Sequence, residues 1–334
     1  MLKKAMIMAA GVGSRLEPLS SVVPKPLVPL TNIPTMDILV NHLKSFGITD
    51  VIANTYHKAE VIQNHYNKDN LGINFKFVKE TELSGTAGGV KKCQFFFDEN
   101  QDFIIMSGDG LTDINITAAY EAHKKSGSIV TIITKDVEHK EVSKYGIIVP
   151  DKNGFVESFQ EKPSIEEAKS NLANTGIYIF NYEIFKYIPE NTFYDFAKNV
   201  FPSILSAGIK INTYNHYGYW SDIGSITQYK QSNSDIIEGK VSSLKVNYKT
   251  SQNGKYIVGQ NTIIHTTCSL EGNNVIGSNC KLGKNCVIKN SILWDNIEVK
   301  DNMKIIDSII LPNIIIEDSI NNKIIAENMS KITV

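Results

Sequence analysis

A glycine loop that contains one arginine, followed ten residues later by a lysine between two prolines, is the strongest chemical signal in the sequence. The loop Gly11-Val12-Gly13-Ser14-Arg15-Leu16 directly follows an apolar run, and Lys25 stands in Pro24-Lys25-Pro26. Two glycines let backbone N–H groups approach a phosphate closely. An arginine can bridge phosphates bidentately, and a lysine adds a point charge. The pattern therefore favours a polyphosphate clamp built on Arg15 and Lys25.

Other phosphate-binding loops fit this segment less well. A dinucleotide fingerprint would need a third glycine at position 16, where the chain has Leu16, and a Walker loop would need Gly-Lys-Ser/Thr. The alternative is a strained turn with two surface cations, which a lone G-x-G would favour. The whole string of residues favours the clamp.

The elements that must position these residues alternate along the first two-thirds of the chain. Apolar runs predict strands, and helical spacing predicts helices, in the order Lys4–Ala10 (strand), 36–46 (helix, ended by Gly47), Asp50–Thr55 (strand), Lys58–Tyr66 (helix), Asn74–Lys79 (strand), a helix within Gly85–Phe96 and Asp102–Met106 (strand). Such alternation predicts an α/β, Rossmann-like domain with a mostly parallel central sheet covered by helices on both faces. Ligands of such sheets bind beyond the carboxyl ends of the strands.

The last third of the chain repeats with a period of six. Large apolar residues recur at Val258, Ile264, Leu270, Ile276, Leu282, Ile288 and Trp294, and smaller residues stand four positions after several of them, at Thr262, Cys268, Asn274, Cys280 and Cys286. The pattern is typical of a left-handed parallel β-helix of hexapeptide repeats, whose large and small side chains point inward. Similar segments that start at Asn290 and Asp307 are 17 residues apart, close to one coil of 18. We predict an α/β domain at 1–235, a polar linker at 236–255 and the β-helix at 256–330.

Composition and cysteine spacing disfavour several classes of protein. Lys+Arg 34 against Asp+Glu 35 gives a net charge of -1, whereas a nucleic-acid binder usually carries a basic excess. No stretch approaches the ~20 apolar residues that a membrane-spanning helix needs. The four cysteines lack C-x-x-C spacing, and three of them fall on the small inward position of the repeat, which indicates packing. We expect a cytoplasmic protein with no nucleic-acid or membrane partner.

Taken together, these motifs resemble those of the sugar-1-phosphate nucleotidyltransferases (NDP-sugar pyrophosphorylases), most closely the mannose-1-phosphate guanylyltransferases. The family signature runs G-x-G-T/S-R-L-x-P-L-T/S and then P-K-P-x-x-P, and this chain reads GVGSRLEPLS and PKPLVP. Further motifs follow in the family's order: Gly85-Thr86-Ala87-Gly88, Gly108-Asp109, Phe159-Gln160-Glu161-Lys162-Pro163, Asn174-Thr175-Gly176 and Trp220-Ser221-Asp222-Ile223-Gly224. The resemblance covers residues 3–232, and members often carry the same C-terminal β-helix. Phe159-Gln160 departs slightly from the pattern, since Val or Ile often precedes Glu-Lys-Pro.

The resemblance implies a reaction in which a sugar 1-phosphate attacks the α-phosphorus of a nucleoside triphosphate (NTP) in line and pyrophosphate leaves. A phosphate monoester is mostly ionised at pH 7, its second pKa being about 6, so the attack needs no general base. Catalysis is then positioning and charge stabilisation, assisted by Mg²⁺ or Mn²⁺.

The resemblance also implies which residues form the site. Arg15 and Lys25 would be catalytic, and Asp109 and Asp222 would hold the metal ion, because hard oxygen ligands suit it. The nucleotide would be bound by Ala10, Gly11, Gly13, Ser14, Arg15, Glu80, Gly85, Thr86 and Asp109. The sugar phosphate would be bound by Gly146, Glu161, Lys162, Asn174 and Thr175. Outside these motifs, an isolated aspartate is more often a cap or turn residue.

Glu80, five residues before Gly85, bears on the choice of base. Relatives that use uridine or thymidine triphosphate tend to place Gln at that spacing, whereas a carboxylate only accepts hydrogen bonds. Guanine presents two donors side by side, so Glu80 suits GTP. The alternative is that Glu80 points to solvent, and that Glu82 or backbone groups read the base. We predict GTP and mannose 1-phosphate as substrates and GDP-mannose as product.

Three other interpretations remain open at this point. One is glucose-1-phosphate uridylyl or thymidylyl transfer, since mannose and glucose differ at a single hydroxyl configuration. Another is a regulatory subunit that has lost the chemistry, although Arg15, Lys25, Asp109 and Asp222 are all present. The third is acyl transfer by the β-helix, for which about four coils and a single histidine, His265, are few. We expect a homo-oligomer, with the β-helix serving assembly or regulation.

Overall fold

The structure, a computed structural model, describes residues 2–326 and the backbone of residues 329–333. Two compact units divide the chain. The first consists of Met1–Val12, Pro24–Leu27 and Met36–Asp222, and the second of Gly13–Val23, Val28–Thr35 and Ile223–Val334. The described residues form seven α-helices: α1 (Leu19–Val22), α2 (Thr35–Ser45), α3 (Ala59–Lys68), α4 (Gly85–Lys92), α5 (Ile116–Ser126), α6 (Phe201–Ser206) and α7 (Ile226–Ile237). None of these helices is long and apolar enough to cross a bilayer.

The first unit is built on a nine-stranded sheet and a two-stranded ribbon. In chain order its strands are β1 (Lys4–Ala9), β2 (Asp50–Thr55), β3 (Asn74–Lys79), β4 (Asp102–Ser107), β5 (Gly110–Thr112), β6 (Val130–Asp136), β7 (Gly146–Pro150), β8 (Val156–Glu161), β9 (Leu172–Asn181), β10 (Asn212–Asn215) and β11 (Trp220–Asp222). The large sheet has the order β8-β7-β9-β4-β1-β2-β3, and β6 adds to β9 and carries β10. The ribbon pairs β5 with β11.

The Rossmann-like prediction is confirmed, and the sheet proves to be mixed. Strands β4, β1, β2 and β3 are paired in parallel, as are β6 and β10. The exceptions involve β9, which runs antiparallel to β4, β6 and β7, and β8, which runs antiparallel to β7. Seven of the nine strands therefore point the same way, and β9 and β8 are reversed.

Burial follows the predicted pattern along the parallel strands. In β1, β2 and β4 most residues are buried and the others are half-buried, as expected for strands covered on both faces. Strands β2 and β3 have the predicted bounds, and the helix predicted after Gly85 is α4. The carboxyl ends of β1, β2, β3 and β4 therefore lie at one edge of the sheet, where Ala10, Glu80 and Asp109 follow them.

The second unit contains the predicted parallel β-helix. Its strands are β12 (Lys249–Ser251), β13 (Asn253–Val258), β14 (Ile263–Ile264), β15 (Ser269–Ile276), β16 (Lys281–Leu282), β17 (Val287–Lys289), β18 (Ile292–Leu293), β19 (Glu298–Val299), β20 (Lys304–Ile306), β21 (Ile309–Ile310), β22 (Ile315–Ile316), β23 (Ile320–Asn321), β24 (Lys323–Ala326) and β25 (Met329–Thr333). Successive coils pair in parallel, for example β14 with β16 and β16 with β19. The hairpin of β12 and β13 begins inside the stretch predicted to be a linker.

One predicted inward position of the β-helix, Trp294, is wrong. The residue that pairs with Ile276 on the next coil is Leu293, since Leu293 follows Ile288 by five residues rather than six. The shortened corner contains Asn290, whose φ is +46°. Trp294 is buried outside the ladder, where its Nε1 donates to the Tyr229 hydroxyl of α7 at 3.0 Å. Helix α7, most of which lies within the predicted 1–235 domain, belongs to the second unit.

The cysteines of the β-helix pack as predicted. Cys280 and Cys286 are buried, and all four cysteines of the chain are free thiols. Ser269 pairs with Val287, so the residues before them, Cys268 and Cys286, stack on adjacent coils. Burial raises the pKa of the Cys268 and Cys280 thiols, which disfavours the reactive thiolate.

Candidate active site

Three charged residues from distant parts of the sequence meet in the first unit. Asp109 directly precedes β5, and Gly110 of β5 pairs with Asp222 of β11, so the ribbon places the two aspartates side by side. The ammonium of Lys25 forms an ion pair with Asp109 Oδ2 and lies 3.9 Å from Asp222 Oδ1. The structure thus brings together one predicted catalytic cation and both predicted metal ligands, whose roles stay predictions.

Asp109 is held in its charged form. Burial by itself would raise the pKa of its carboxyl, but the charge of Lys25 and hydrogen bonds from Lys25 and from Ser107 Oγ outweigh burial and lower that pKa below its usual range. The carboxylate is therefore ionised at neutral pH. A cation, either an ammonium or a metal ion, is the partner that such a group requires.

The donor set at this point fits a divalent metal ion that is shared with a substrate. Two carboxylates supply hard oxygen atoms of the kind that Mg²⁺ prefers. No group of three or more His, Cys, Asp or Glu side chains that could hold a metal ion occurs in the described part of the chain. An ion bound by Asp109 and Asp222 would therefore take its other ligands from water or phosphate oxygens, as is usual for Mg²⁺ with nucleotides.

The glycine loop crosses from one unit to the other. Ala10 and Gly11, at the end of β1, belong to the first unit, and Gly13, Ser14 and Arg15 to the second. Gly13 has φ +76° and precedes a 3₁₀ turn at Ser14–Leu16, in which the Leu16 N–H donates to the Gly13 carbonyl at 2.9 Å. Arg15 is exposed on this turn. Its predicted contact with phosphate stays a prediction.

Glu80 is buried in a network rather than presented to solvent. Its side chain is 1% exposed. Oε1 accepts from Asn54 Nδ2 at 2.7 Å, and Oε2 accepts from Ser84 Oγ and from Lys92 Nζ, the latter at 3.0 Å. Three donors already satisfy the carboxylate, so this packing favours a positioning role. Direct contact between Glu80 and a base stays a prediction.

The α4 motif is shaped by close backbone contacts. Gly85 has φ +77°, and a Cβ at this position would lie 2.4 Å from the Tyr194 carbonyl oxygen. That same oxygen accepts from the Ala87 and Gly88 N–H groups at 3.0 and 3.1 Å, so it caps the start of the helix. Thr86 Oγ1 donates to Asp195 Oδ2 at 2.9 Å. Gly85 thus leaves room for the Tyr194 carbonyl, and Thr86 helps to hold the 194–195 segment in place.

Three of the predicted sugar residues form one cluster. Gly146 of β7 pairs with Glu161 of β8, and Asn174 lies on β9, next to β7. A Cβ at Gly146 would lie 3.3 Å from Glu161 Oε2 and 4.0 Å from the Asn174 Cβ. Glu161 is exposed. The absence of a side chain at Gly146 therefore keeps space beside a carboxylate and an amide, both of which can bind sugar hydroxyls.

The other two predicted sugar residues have evident backbone roles. The register of β9 against β6 shifts between Asn174 and Tyr178. Thr175 is buried in this bulge, and its Oγ1 donates to the Ile133 carbonyl at 2.7 Å. Lys162 is exposed and has φ +47°, a conformation that is uncommon for a residue with a side chain and often marks a functional position.

Sequence reasoning missed Asn54, Ser107 and Asp195. The side chain of Asn54 connects the end of β1 to Glu80. Its Oδ1 accepts from the Ala9 N–H at 3.1 Å, and its Nδ2 donates to Glu80. Ser107 donates to Asp109, and Asp195 accepts from Thr86. Asn54 and Ser107 stand near the carboxyl ends of predicted strands, and this position was the signal by which the sequence could have indicated them.

His216, predicted to be structural, is buried. Its Nε2 lies 3.1 Å from Asp113 Oδ1 and 3.1 Å from the Tyr219 carbonyl oxygen.

Comparison with known proteins identifies the family. Residues 4–239 match the family model described as nucleotidyl transferase, and residues 252–330 match the one described as GMPPB C-terminal domain. The chain is 32% identical over 318 residues to a UTP--glucose-1-phosphate uridylyltransferase of Synechocystis sp., with 86% of this chain and 81% of the relative covered. It is 32% identical over 296 residues to a probable mannose-1-phosphate guanylyltransferase 3 of Oryza sativa subsp. japonica, with 86% and 78% covered.

A solved structure agrees with these matches. HddC from Yersinia pseudotuberculosis, crystallised with GMP-PN, superposes with a TM-score of 0.59 at 25% identity and covers 70% of this chain and 100% of its own. The match of residues 4–239 accounts for most of the chain, including the Lys25, Asp109 and Asp222 segments. The chain therefore belongs to the nucleotidyl transferase family, within the group that acts on sugar 1-phosphates.

Proposed function

We propose that this protein transfers the guanylyl group of GTP to mannose 1-phosphate and releases GDP-mannose and pyrophosphate. The observation that carries the transfer chemistry is the meeting of Lys25, Asp109 and Asp222 at one point of the first unit. Two comparisons support guanine as the base, namely the rice relative and the HddC complex with GMP-PN. The C-terminal match, which extends the likeness over residues 252–330, supports the same branch.

The chain supplies positioning and charge rather than a general base. The sugar phosphate is ionised near neutral pH and can attack directly. Lys25 brings a positive charge to the phosphates. When they bind, its ammonium moves away from the two aspartates, because a phosphate dianion is a stronger partner than a carboxylate. Asp109 and Asp222 are the residues that would hold Mg²⁺. When bound, the ion neutralises charge that develops on the phosphate oxygens.

The sugar is assigned to the cluster of Gly146, Glu161 and Asn174. The carboxylate of Glu161 accepts from sugar hydroxyls, and the missing side chain at Gly146 lets the ring approach it. Lys162, which follows Glu161, provides the charge for the sugar phosphate. Selection of mannose over glucose then depends on which hydroxyl configuration this cluster accepts.

The Glu80 network supports the base site indirectly. By fixing Asn54 and Ser84, the buried carboxylate of Glu80 sets the position of the loop that leads into α4. Backbone groups of that loop are then held where they read the base edge. Replacing the carboxylate would disturb this arrangement even without direct contact to the base.

A second candidate is glucose-1-phosphate uridylyl transfer. The Synechocystis relative, at 32% identity and the same coverage of this chain, favours it. The two candidates share the reaction and the charged centre, and they differ in the base and in one sugar hydroxyl.

Initial rates of pyrophosphate release separate the candidates. GTP, UTP, ATP and dTTP are each combined with mannose 1-phosphate and glucose 1-phosphate at equal concentrations. We expect the highest kcat/KM for GTP with mannose 1-phosphate. A higher kcat/KM for UTP with glucose 1-phosphate would replace the proposal by the second candidate, and inactivity with every pair would favour a regulatory homologue.

A further inference from the structure

A buried carboxyl group that has no role in the proposed reaction lies at one end of the ribbon of β5 and β11. The ribbon has three residue pairs, and Asp222 pairs with Gly110 at one end. Asp113 directly follows the last residue of β5 at the other end, and its side chain is 5% exposed. A carboxyl group that is buried to this extent needs hydrogen-bond partners around it. The partners come from the turn 216–219, which leads into β11.

The turn 216–219 is bonded to Asp113 through both its backbone and a side chain. Asp113 Oδ1 accepts from the Tyr219 N–H at 2.6 Å, and the Asp113 N–H donates to the Tyr219 carbonyl at 3.1 Å. His216 Nε2 lies 3.1 Å from each of these two oxygen atoms. Since both of its neighbours are acceptors, Nε2 carries the ring proton and donates to them. A Cβ at Gly218 would lie 2.2 Å from Asp113 Oδ1, so only glycine lets the turn approach the carboxyl group this closely.

These bonds fix the residue that precedes β11. Strand β11 is three residues long, and β5 is its only partner among the described strands. A two-stranded ribbon is marginally stable by itself, so contacts outside its ladder help to decide where it lies. Asp113 ties Tyr219 to the end of β5, and Asp222 is the third residue after Tyr219.

From this connection we infer that Asp113, together with His216, is a positioning residue for the metal ion. It holds Asp222 beside Asp109, so that both carboxylates bind the ion at once. The inference rests on the proposed function, in which these two aspartates hold Mg²⁺. Removal of a group that orients a metal ligand commonly weakens metal binding about 10- to 100-fold. Loss of Asp113 should therefore weaken metal binding, although Asp113 itself does not touch the ion.

Asp102 provides a matched comparison within the same unit. Its side chain is 4% exposed, and it accepts from Lys124 Nζ and from Asn181 Nδ2, both at 2.9 Å. Asp102 is the first residue of β4, at the opposite end of that strand from Asp109. Loss of either buried carboxyl group leaves donors unsatisfied and lowers the free energy of unfolding. Only the loss of Asp113 should also change metal binding, which separates positioning from a general contribution to stability.

Binding of Mn²⁺ to the full chain, without nucleotide or sugar phosphate, tests the inference apart from activity. The electron paramagnetic resonance signal of the free ion gives the Kd. In Asp113→Ala we expect the Kd to rise about tenfold or more. In Asp113→Asn, whose amide oxygen can still accept from the Tyr219 N–H, the Kd should stay within about threefold of wild type. Asp102→Ala should bind Mn²⁺ as wild type does, although urea denaturation should show that it is less stable.

Asp222→Asn, measured in the same way, separates this inference from the proposed function. If Asp222→Asn weakens Mn²⁺ binding and Asp113→Ala does not, the positioning role is overturned while the metal role of Asp222 stands. If Asp222→Asn binds Mn²⁺ as tightly as wild type, or if wild type binds none, the metal role of Asp222 fails and the inference fails with it. An equal rise of the Kd in Asp113→Ala and Asp102→Ala would also overturn the inference, because a general loss of stability would then account for both.

A milder variant decides the question if Asp113→Ala does not fold. Lys135 Nζ donates to the Tyr217 and Gly218 carbonyls at 3.2 and 2.6 Å, so it holds the same turn through two further bonds. Lys135→Met should raise the Kd for Mn²⁺ about threefold, less than the loss of Asp113 itself. Lys186→Met, at an exposed lysine of the first unit, is its control and should leave the Kd unchanged. Equal Kd values for Lys135→Met and wild type would then overturn the inference.

Discussion

The ammonium of Lys25 is paired with the carboxylate of Asp109, which lies 84 residues later in the chain. Lys25 stands on a short 3₁₀ turn between two prolines, and Asp109 follows the last residues of β4. Proline fixes the backbone on both sides of Lys25, so the long side chain is the part that can still move. The pair thus joins a rigid cation-bearing turn to the edge of the sheet where ligands of such folds bind.

Removing the Lys25 ammonium should abolish most of the activity. In Lys25→Met we expect kcat to fall about 100- to 1,000-fold, the usual loss when one preorganised donor to a developing charge is removed. The exposed surface pair of Lys186 with Glu183 provides the control, since Lys186→Met should leave kcat unchanged. Steady-state rates of pyrophosphate release measure both variants. A Lys25→Met enzyme within twofold of wild type would refute the role of this cation.

The two aspartates should determine the dependence on Mg²⁺. Asp222→Asn keeps the shape of the side chain and removes a charge, so we expect the Mg²⁺ concentration for half-maximal rate to rise at least tenfold. Asp136→Asn, at the exposed end of β6, is the matched control and should behave as wild type. Rates measured over a Mg²⁺ titration give the comparison. An unchanged half-maximal concentration in Asp222→Asn would show that Asp222 does not hold the ion.

Replacing the Glu80 carboxylate should change the nucleotide preference. In Glu80→Gln the ratio of kcat/KM for GTP to that for UTP is expected to fall about tenfold, because Lys92 loses its charged partner and the amide N–H faces the donors Ser84 and Lys92, which disturbs the loop that leads into α4. The variant should also lose about 1–2 kcal/mol of unfolding free energy from the buried network. Rates with the two nucleotides and a urea denaturation curve measure these effects. If the ratio of kcat/KM for GTP to that for UTP were the same in Glu80→Gln as in wild type, Glu80 would not determine the nucleotide preference.

Glycine should be indispensable at position 85 for a steric as well as a conformational reason. Both Gly85 and Gly127 have positive φ, but a Cβ at Gly85 would lie 2.4 Å from a carbonyl oxygen, whereas one at Gly127 would meet nothing within 4 Å. Gly127→Ala should therefore cost about 1 kcal/mol, the conformational penalty alone. Gly85→Ala should cost at least about 2 kcal/mol more, since the Tyr194 carbonyl must move. Urea denaturation gives the free energy of unfolding of each variant. Equal values for Gly85→Ala and Gly127→Ala would contradict this account.

Acid should weaken the contribution of Asp102 to stability. Burial alone would raise the pKa of this carboxyl, but hydrogen bonds with His123, Lys124 and Asn181 outweigh burial and lower the pKa below its usual range. A carboxyl with a lowered pKa in the folded state stabilises that state above its unfolded pKa of about 3.9, and the contribution is lost as the pH falls below that value.

Asp102→Asn should consequently cost more stability at pH 7 than at pH 3. Unfolding free energies from urea titrations at pH 7, 5 and 3 give the difference between wild type and variant at each pH. Asp136→Asn, a substitution of the same kind at an exposed position, is measured in parallel as the control. A cost for Asp102→Asn that is the same at all three values would show that its ionisation contributes nothing to stability.

Local patterns in the sequence predicted most of the first unit. A mostly apolar run specified β2 with the observed bounds, because a strand buried on both faces leaves a clear signal. The bounds of β3 were also predicted, although this edge strand alternates polar and apolar residues and has none that is fully buried. The reversal of β9 was not predicted, since hydrophobic periodicity contains no information on strand direction. Such a reversal depends on pairing with β4, about 70 residues earlier in the chain.

Two features that sequence patterns did not predict, the position of Trp294 and the burial of Glu80, have different physical origins. Trp294 was assigned by extending a six-residue period across a corner that is one residue shorter, although the 17-residue echo at Asn290 and Asp307 already indicated the shorter coil. The burial of Glu80 depends on Asn54 and Lys92, which approach it only after the strands have paired. Contacts of that kind are set by tertiary structure, so the motif alone could not predict them.

The most direct test of the account is a competition among nucleotides in a single reaction. The protein is incubated with mannose 1-phosphate, Mg²⁺ and equal concentrations of GTP, UTP, ATP and dTTP, and the NDP-sugars are separated and identified by mass spectrometry before a tenth of the substrate is consumed. Product ratios then equal the ratios of kcat/KM. The account predicts GDP-mannose as the major product. A mixture dominated by another NDP-mannose, or no NDP-mannose at all while UTP and glucose 1-phosphate give UDP-glucose, would contradict it.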